Sequence, residues 1–303
     1  MIICKVSQLR SNKKEIIHMM KNICLYWRML LSRTFAALAV SLTIKNILFF
    51  IPCAKCFIER YGVWIFVLII VGSLLYAFRI LWCKPNKLSL DLTKTTKLTV
   101  SFGDLFAKDG IKVIPVNEYF DTHLGDGIVA PNTIHGLFLK RYKGQIPLIA
   151  SMIRKELEKK EPLSGEYRKR DMVKDLPETP YPLGTCIRLI IDNKKYLLVA
   201  VTRFNENEHV DINLPEYPIV IQKLFYEMEQ LSDANPVYLP LIGGGQAGVK
   251  LTKMQLLNTI IRAGQNSEVS IYGGVHVILY GDDLKKEINL NIIKHLYECW
   301  KGL

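Results

Sequence analysis

The sequence predicts an α/β protein in two parts: a two-helix transmembrane hairpin, then a mixed β-sheet flanked by helices. Three observations point there. Residues 62–78, "GVWIFVLIIVGSLLYAF", carry no charge, and with "RILW" after them they reach the roughly 20 residues a bilayer crossing requires. Beyond residue 98 short β-rich runs alternate with amphipathic helical patterns, the signature of a layered domain. The chain has 303 residues and is 50% hydrophobic, so that part is long enough for a full core.

Taken in order, residues 1–33 form a basic segment with Lys5, Arg10, Lys13, Lys14, Lys21, Arg28 and Arg33 against Glu15 alone. The apolar stretch 34–54, "TFAALAVSLTIKNILFFIPCA", is read as the first transmembrane helix and 62–82 as the second, joined by the short "KCFIERY". The apolar run starts too far into the chain for a cleaved signal peptide. Lys45 lies near the middle of the first span. There it either faces lipid at a cost of about 2.5 to 3.5 kcal/mol or serves a partner helix or a water-filled path. Charge bias places both termini in the cytoplasm, at the inner membrane, and leaves only the loop outside.

The formal net charge of +12 invites a nucleic-acid reading, but much of it sits just before the membrane, where anionic lipid accounts for it. No nucleic-acid partner is expected. The 7 cysteines are scattered through a chain whose bulk is expected in a reducing compartment, so no disulfide framework follows. Cys53 and Cys56 form a CxxC without a second ligand pair, and no metal site is expected.

Residues 83–97 are read as a linker and 98–303 as a nucleotide-binding domain. Strands are expected at 97–102, 111–116, 185–192, 195–202, 236–242 and 273–281, and helices at 145–160, 216–232, 252–264 and 282–300. The polar stretch 161–182 reads as a surface excursion.

Two loops carry the functional signal. "LPLIGGGQAGVKLT" (239–252) leaves a strand through Gly243, Gly244 and Gly245 and enters a helix near Thr252. Three glycines admit a close approach to the backbone, and a helix N-terminus favours an anion, with Lys250 and Lys253 nearby. A tight strand-to-helix turn is the plainer alternative. "VNEYFDTHLGDGIVAPNTIHG" (116–136) is a second glycine-bearing loop after a strand, so the pair suggests a diphosphate held between them. His123 and His135 in that loop read as solvated side chains, and Asp121 and Asp126 as loop acceptors for the ligand or the backbone instead of a catalytic pair.

These residues resemble the macro domain family. "LTVSFGDLF" followed by "KVIPVNEYFDTHLGDGI" is similar to its opening strands, "LGTCIRLIIDNKKYLLVAV" to its central hairpin, and "PVYLPLIGGGQAG" to its second phosphate-gripping loop. Behind a two-helix anchor, the chain resembles more narrowly the transmembrane macro-domain effectors of type II Thoeris anti-phage defence. The resemblance implies a partner TIR-domain enzyme making an ADP-ribose-type signal from NAD, here a histidine conjugate, whose binding drives homo-oligomerisation and membrane disruption.

It also implies a set of ligand contacts: Asp104 to the adenine amino group with Leu105 beside it, and Gly127 and Ile128 to the phosphates. Gly243, Gly244, Gly245, Gln246, Ala247 and Gly248 would wrap the diphosphate and distal ribose, and Asp121 is a further acceptor. Tyr181, Phe204 and Asn205 would complete the pocket. Asn117 matches the first Asn of the family's Asn-Ala-Ala-Asn, but "NEYF" lacks the second, which argues against hydrolysis. No catalytic residue and no cofactor other than the bound ligand is expected; a membrane-anchored ADP-ribosyl hydrolase is the alternative, and a nucleotide-free scaffold the third class. Asp104 as a simple turn cap also stays open. Ala247 stands where many members carry an aromatic residue, which leaves room for a substituent on the distal ribose.

Overall fold

The computed structural model describes residues 31–32, 34–82, 85–164, 176–204, 210–211, 214–245 and 251–301. They fall into two compact units, one made of residues up to 85 together with 294 onward, the other running from 86 to 293.

The first unit holds α1 (Thr34–Leu48), α2 (Pro52–Trp82) and, from Lys294, most of the helix 290–301. The expected span 34–54 is therefore not a single helix, and the connection is not "KCFIERY". The turn falls at 49–51, where Phe50 and Ile51 N–H groups reach back three residues to Ile47 and Leu48. Pro52 sets this boundary. It fits the first turn of a new helix and disfavours helical backbone at the residue before it. Lys45 consequently sits in the last turn of α1 instead of mid-span, with its carbonyl accepting from Phe49. Phe57–Tyr76 in α2 is the one described helix long and apolar enough to cross a membrane, and the backbone departs from helical geometry within it at Tyr61 (φ −115°, ψ 16°). Phe50, Val63, Trp64 and Leu68 are exposed.

The second unit is an eight-stranded mixed sheet flanked by helices. Its strands are β1 (Lys87–Asp91), β2 (Lys97–Phe102), β3 (Ile111–Asn117), β4 (Cys186–Ile191), β5 (Lys194–Phe204), β6 (Val210–Asp211), β7 (Val237–Pro240) and β8 (Val275–Leu279). The order across the sheet is β1-β2-β8-β7-β3-β5-β4, with β6 on β5. From β2 to β5 the neighbours are parallel, while β1, β4 and β6 join antiparallel.

Two expectations change here. The expected linker 83–97 contains β1, whose Leu88 and Leu90 are buried while Lys87, Ser89 and Asp91 face out, so the unit begins at Asn86 rather than 98, and 294–303 lie outside it. The expected helix 282–300 is two, α7 (Asp282–Glu287) and α8 (Leu290–Lys301). Ile288 is extended, and the Asn289 side chain accepts from the Asn291 N–H to start the second.

The remaining helices are α3 (Ile134–Arg141), α4 (Ile146–Leu157), α5 (Tyr217–Leu231) and α6 (Lys253–Asn266). α3 begins in the last residues of the expected loop 116–136 and runs through a stretch for which the sequence reading expected no element. It is anchored on β3 and β5 by an aromatic cluster: the rings of Phe138 and Tyr196 are 5.0 Å apart, and the Tyr142 and Tyr196 hydroxyls share a hydrogen bond of 2.9 Å. Its first turn demands Gly136, since a Cβ there would lie 2.2 Å from the Ala130 carbonyl oxygen. On β2 and β8, Leu98, Val100, Val275 and Val277 are fully buried on one face of the sheet, while Thr99, Ser101 and His276 alternate with them on the other.

Candidate functional site

Because β2, β8, β7, β3 and β5 are parallel, their carboxyl ends share one edge of the sheet, and β3 and β7 are direct neighbours. The loops 103–110, 118–133 and 241–252 all leave from this edge, the usual place for a ligand crevice in such sheets.

The loop after β3 is held from within. Asn117 is buried; its amide nitrogen donates to the Asp121 carboxylate at 2.8 Å, and its oxygen accepts from the Tyr119 and Asp121 N–H groups, both at 3.2 Å. Asp121 is fully buried, so the expected ligand acceptor is an internal staple instead. His135 is buried too, contrary to its reading as a solvated side chain. Burial brings its imidazole pKa down to about 4, partly offset by a hydrogen bond to the Asp121 main chain. This network holds Phe120 at a φ of 55°, a conformation costly for a bulky residue.

Further on, Gly125, Asp126 and Gly127 have φ values of 98°, 49° and 76°. The Ile128 N–H, expected to meet a phosphate, donates to the Gly125 carbonyl at 2.9 Å, and the Ile128 side chain is in the core. Among the described residues the Gly127 N–H has no partner. His123 Nε2 lies 2.8 Å from the Asp126 carboxylate, with both side chains well exposed.

Glu118, which the sequence reading passed over, ties the loop to its surroundings. Its N–H donates to Thr202, its carbonyl accepts from Tyr181, and its carboxylate accepts from the Phe204 N–H at 3.1 Å. Arg203 lies 3.8 Å from the same carboxylate and donates to Glu216 at 3.2 Å. No spacing in the sequence relates positions 118, 181, 203 and 216; only the pairing of β3 with β5 brings them together. Tyr181 and Phe204 stand beside the loop, packed on Phe120 and Tyr119, while Asn205 lies outside the described residues.

The loop after β7 is built differently. The Tyr217 hydroxyl donates to the Ile242 carbonyl at 2.9 Å and the Gly244 N–H to Leu241 at 3.2 Å. The three glycines then separate by role. Gly243 has a φ of 78°, open to glycine at little cost. A Cβ on Gly244 would press to 3.0 Å from the Leu241 carbonyl oxygen. At Gly245 a Cβ would meet nothing within 4 Å, so no described protein atom requires glycine there. Lys253 donates to the Gly244 carbonyl, which spends one of the two lysines expected to face an anion. α6 opens with a capping box in which Thr252 and Gln255 satisfy each other's N–H groups. Gln246, Ala247 and Gly248, like Lys250, lie outside the described residues.

At the end of β2, Asp104 is exposed and accepts from the Phe106 N–H at 2.9 Å, capping the 3-10 turn 105–107, while Leu105 is buried. Among the described residues no three His, Cys, Asp or Glu side chains gather as a metal site.

The family model for the macro domain of Thoeris protein ThsA matches residues 98–279, well over half of the chain. The chain belongs to this macro-domain family. A Thoeris protein ThsA of Bacillus amyloliquefaciens (strain Y2) is 26% identical over 245 residues, covering 73% of this chain and 76% of that protein. Among solved structures, the Oceanobacillus iheyensis macrodomain with ADP is 15% identical, covers 70% of this chain and 97% of its own, and has a TM-score of 0.46. The Mycobacterium tuberculosis DarG macrodomain is 16% identical, with 60% and 96% covered and a TM-score of 0.37. The match begins at Leu98 and ends at Leu279, so it runs from the first residues of β2 to the end of β8 and includes both glycine loops.

Proposed function

We propose that the macro domain binds an ADP-ribose-type nucleotide at the carboxyl edge of the sheet, and that the chain is a membrane effector of anti-phage defence. The observation that carries this reading is Gly245: no described protein atom lies within 4 Å of where its Cβ would stand, and it belongs to the loop after β7, the strand beside β3, whose own loop presents Gly127. A diphosphate needs main-chain N–H groups approached this closely. Asp104, exposed at the end of β2, serves the adenine end; Gly243 to Gly248 serve the diphosphate and distal ribose. The signal is a histidine conjugate of ADP-ribose made from NAD by a partner TIR enzyme.

We infer that α1 and α2 form an antiparallel hairpin in the inner membrane, with both termini cytoplasmic. The uncharged stretch of α2 and the basic residues of 1–33 support this. α1 is about 22 Å long by its helical rise, short of the roughly 30 Å hydrocarbon core. Lys45 in its last turn can extend toward the headgroups. Two helices per chain line no wide path, so disruption of the bilayer proceeds through oligomers. A ligand drives assembly only by binding the assembled state more tightly, and about 5.5 kcal/mol of difference moves a population from 1:99 to 99:1.

The chain is read as a binder rather than a hydrolase, because the Asn117 amide is engaged with Asp121 and the second Asn of the family motif is replaced. Titration of the full chain in lipid nanodiscs with ADP-ribose and with its histidine conjugate tests this, with product analysis of each ligand afterwards. Tight binding of the intact conjugate is expected, together with higher mass by light scattering of the detergent-solubilised chain. Cleavage of the ligand would establish the hydrolase, and an absence of binding in both the wild type and Gly245→Glu would leave only a scaffold.

A further inference from the structure

The two faces of the sheet are covered unequally. One face carries Leu88, Leu90, Leu98, Val100, Val275 and Val277, all buried. On the other, α3 covers β3 and β5 through Phe138 and Tyr142, but the register brings a polar row into line across the first strands. Ser89 is opposite Thr99, Thr99 beside His276, and His276 beside Tyr238. The Ser89 and Thr99 hydroxyls are 3.2 Å apart, and the Tyr238 ring stacks on His276 at 4.7 Å, both of them only half-buried.

Cations frame this row. Lys87 is on the same face opposite Ser101, and Lys97 is opposite Asp91, with which it pairs at 3.8 Å. Lys108 comes from the loop after β2, its Nζ 3.8 Å from where a Gly103 Cβ would stand. Burial lowers the His276 pKa, a hydrogen bond with the Gly273 backbone raises it, and Lys87 and Lys108 lower it further, which places both lysines within electrostatic range of the ring. The acidic groups nearby are Asp91, engaged with Lys97, and Asp109, whose charge acts on Lys112.

The chain itself supplies the partner. α2 ends at Trp82 and β1 begins at Lys87, so only a few residues of sequence separate the helix from this strand. We propose that this face, exposed at Lys87 and Ser89 of β1 and half-buried at His276 of β8, with Lys108 at its rim, docks on the anionic headgroups of the bilayer that holds α2. The proposal rests on the reading of α2 as a membrane helix. Phosphate oxygens meet ammonium groups there, and the hydroxyls and imidazole of the row supply further polar contacts. A face of this kind gains nothing from an apolar partner, because the exposed Ser89 hydroxyl and the half-buried His276 ring would be covered with too few acceptors or donors opposite them.

The test is lysine acetylation of the full chain in nanodiscs, read by mass spectrometry. Discs of phosphatidylcholine alone are compared with discs containing a third phosphatidylglycerol. Lys155 on α4, which packs at β4 on the opposite edge of the sheet, and Lys159 in the turn just after that helix are internal references. Acetylation of Lys87 and Lys108 is expected to slow at least threefold relative to the references in the anionic discs, and the difference to vanish in 0.5 M salt. Equal relative rates in both kinds of disc overturn the docking and leave the membrane helix standing. A chain that fails to migrate with the discs overturns the membrane reading as well. Adding inorganic phosphate to the phosphatidylcholine discs separates a free-anion site: slowing there instead would reassign the face to a soluble phosphate ligand.

Discussion

The two glycine loops leave neighbouring strands at the same edge of the sheet, yet they are stabilised in opposite ways. The loop after β3 is closed on itself. Asn117, Asp121 and His135 are buried, and the Ile128 N–H is already taken. The loop after β7 is fastened at its start by Tyr217 and Lys253, and at Gly245 no described atom lies within 4 Å of where a Cβ would stand. One loop is a rigid wall whose polar residues serve the fold. The other presents, at Gly245, backbone against which no described atom packs. The same residue chemistry therefore supports different roles, and substitutions should separate them.

The sharpest break in the comparison comes from pH. His135 has a folded pKa of about 4, below the ordinary value near 6.5, so the unfolded chain takes up its proton first as pH falls. Its contribution is fully present above about pH 6.5 and is lost toward pH 4, amounting to roughly 3 kcal/mol. Denaturant titrations at pH 7 and pH 4.5 should show this loss in the wild type and a shallower one in His135→Gln. An equal pH dependence in both proteins would place the imidazole in water.

Next comes Gly245→Glu, which should weaken binding of the ADP-ribose conjugate at least 100-fold, about 2.7 kcal/mol, while the melting temperature without ligand stays within a degree of wild type. A large loss of stability in this variant would mean that the loop is packed as tightly as its neighbour. Asn117→Ala is the converse. It strips the buried Asp121 carboxylate of a donor and should cost about 2 kcal/mol of stability, measured by chemical denaturation. Its effect on affinity should be well below that of Gly245→Glu when both are measured on folded protein. The smallest effect belongs to Asp104→Ala, which removes the cap of the 3-10 turn at about 1 kcal/mol. If Asp104 also holds the adenine, calorimetry will show weaker binding of ADP-ribose but an unchanged affinity for ribose 5-phosphate.

Much of this was legible in the residues. Alternation and apolar runs located β2, β3, β5, β7 and β8, and the glycines located both loops, because side-chain period and backbone freedom are local properties. β1 carried a clear alternation in "KLSLD", but its position directly after a membrane-like segment disguised it. α3 was hidden by its length of eight residues and by Gly136, a poor helix former retained because the backbone of Ala130 and Pro131 passes too close for any side chain.

The sequence by itself determined the class of the fold, the family resemblance and the two glycine-bearing segments proposed to hold a phosphate. Tertiary structure alone decided which polar side chains are free to meet a ligand. Asn117 and Asp121 look as available in the sequence as Asp104 does; the strand order buries the first two beneath the loop and leaves the third at an open edge. A side chain's partner is set by what the sheet brings beside it, often from far along the chain, as with Glu118 and Arg203, and residue spacing carries no record of that distance.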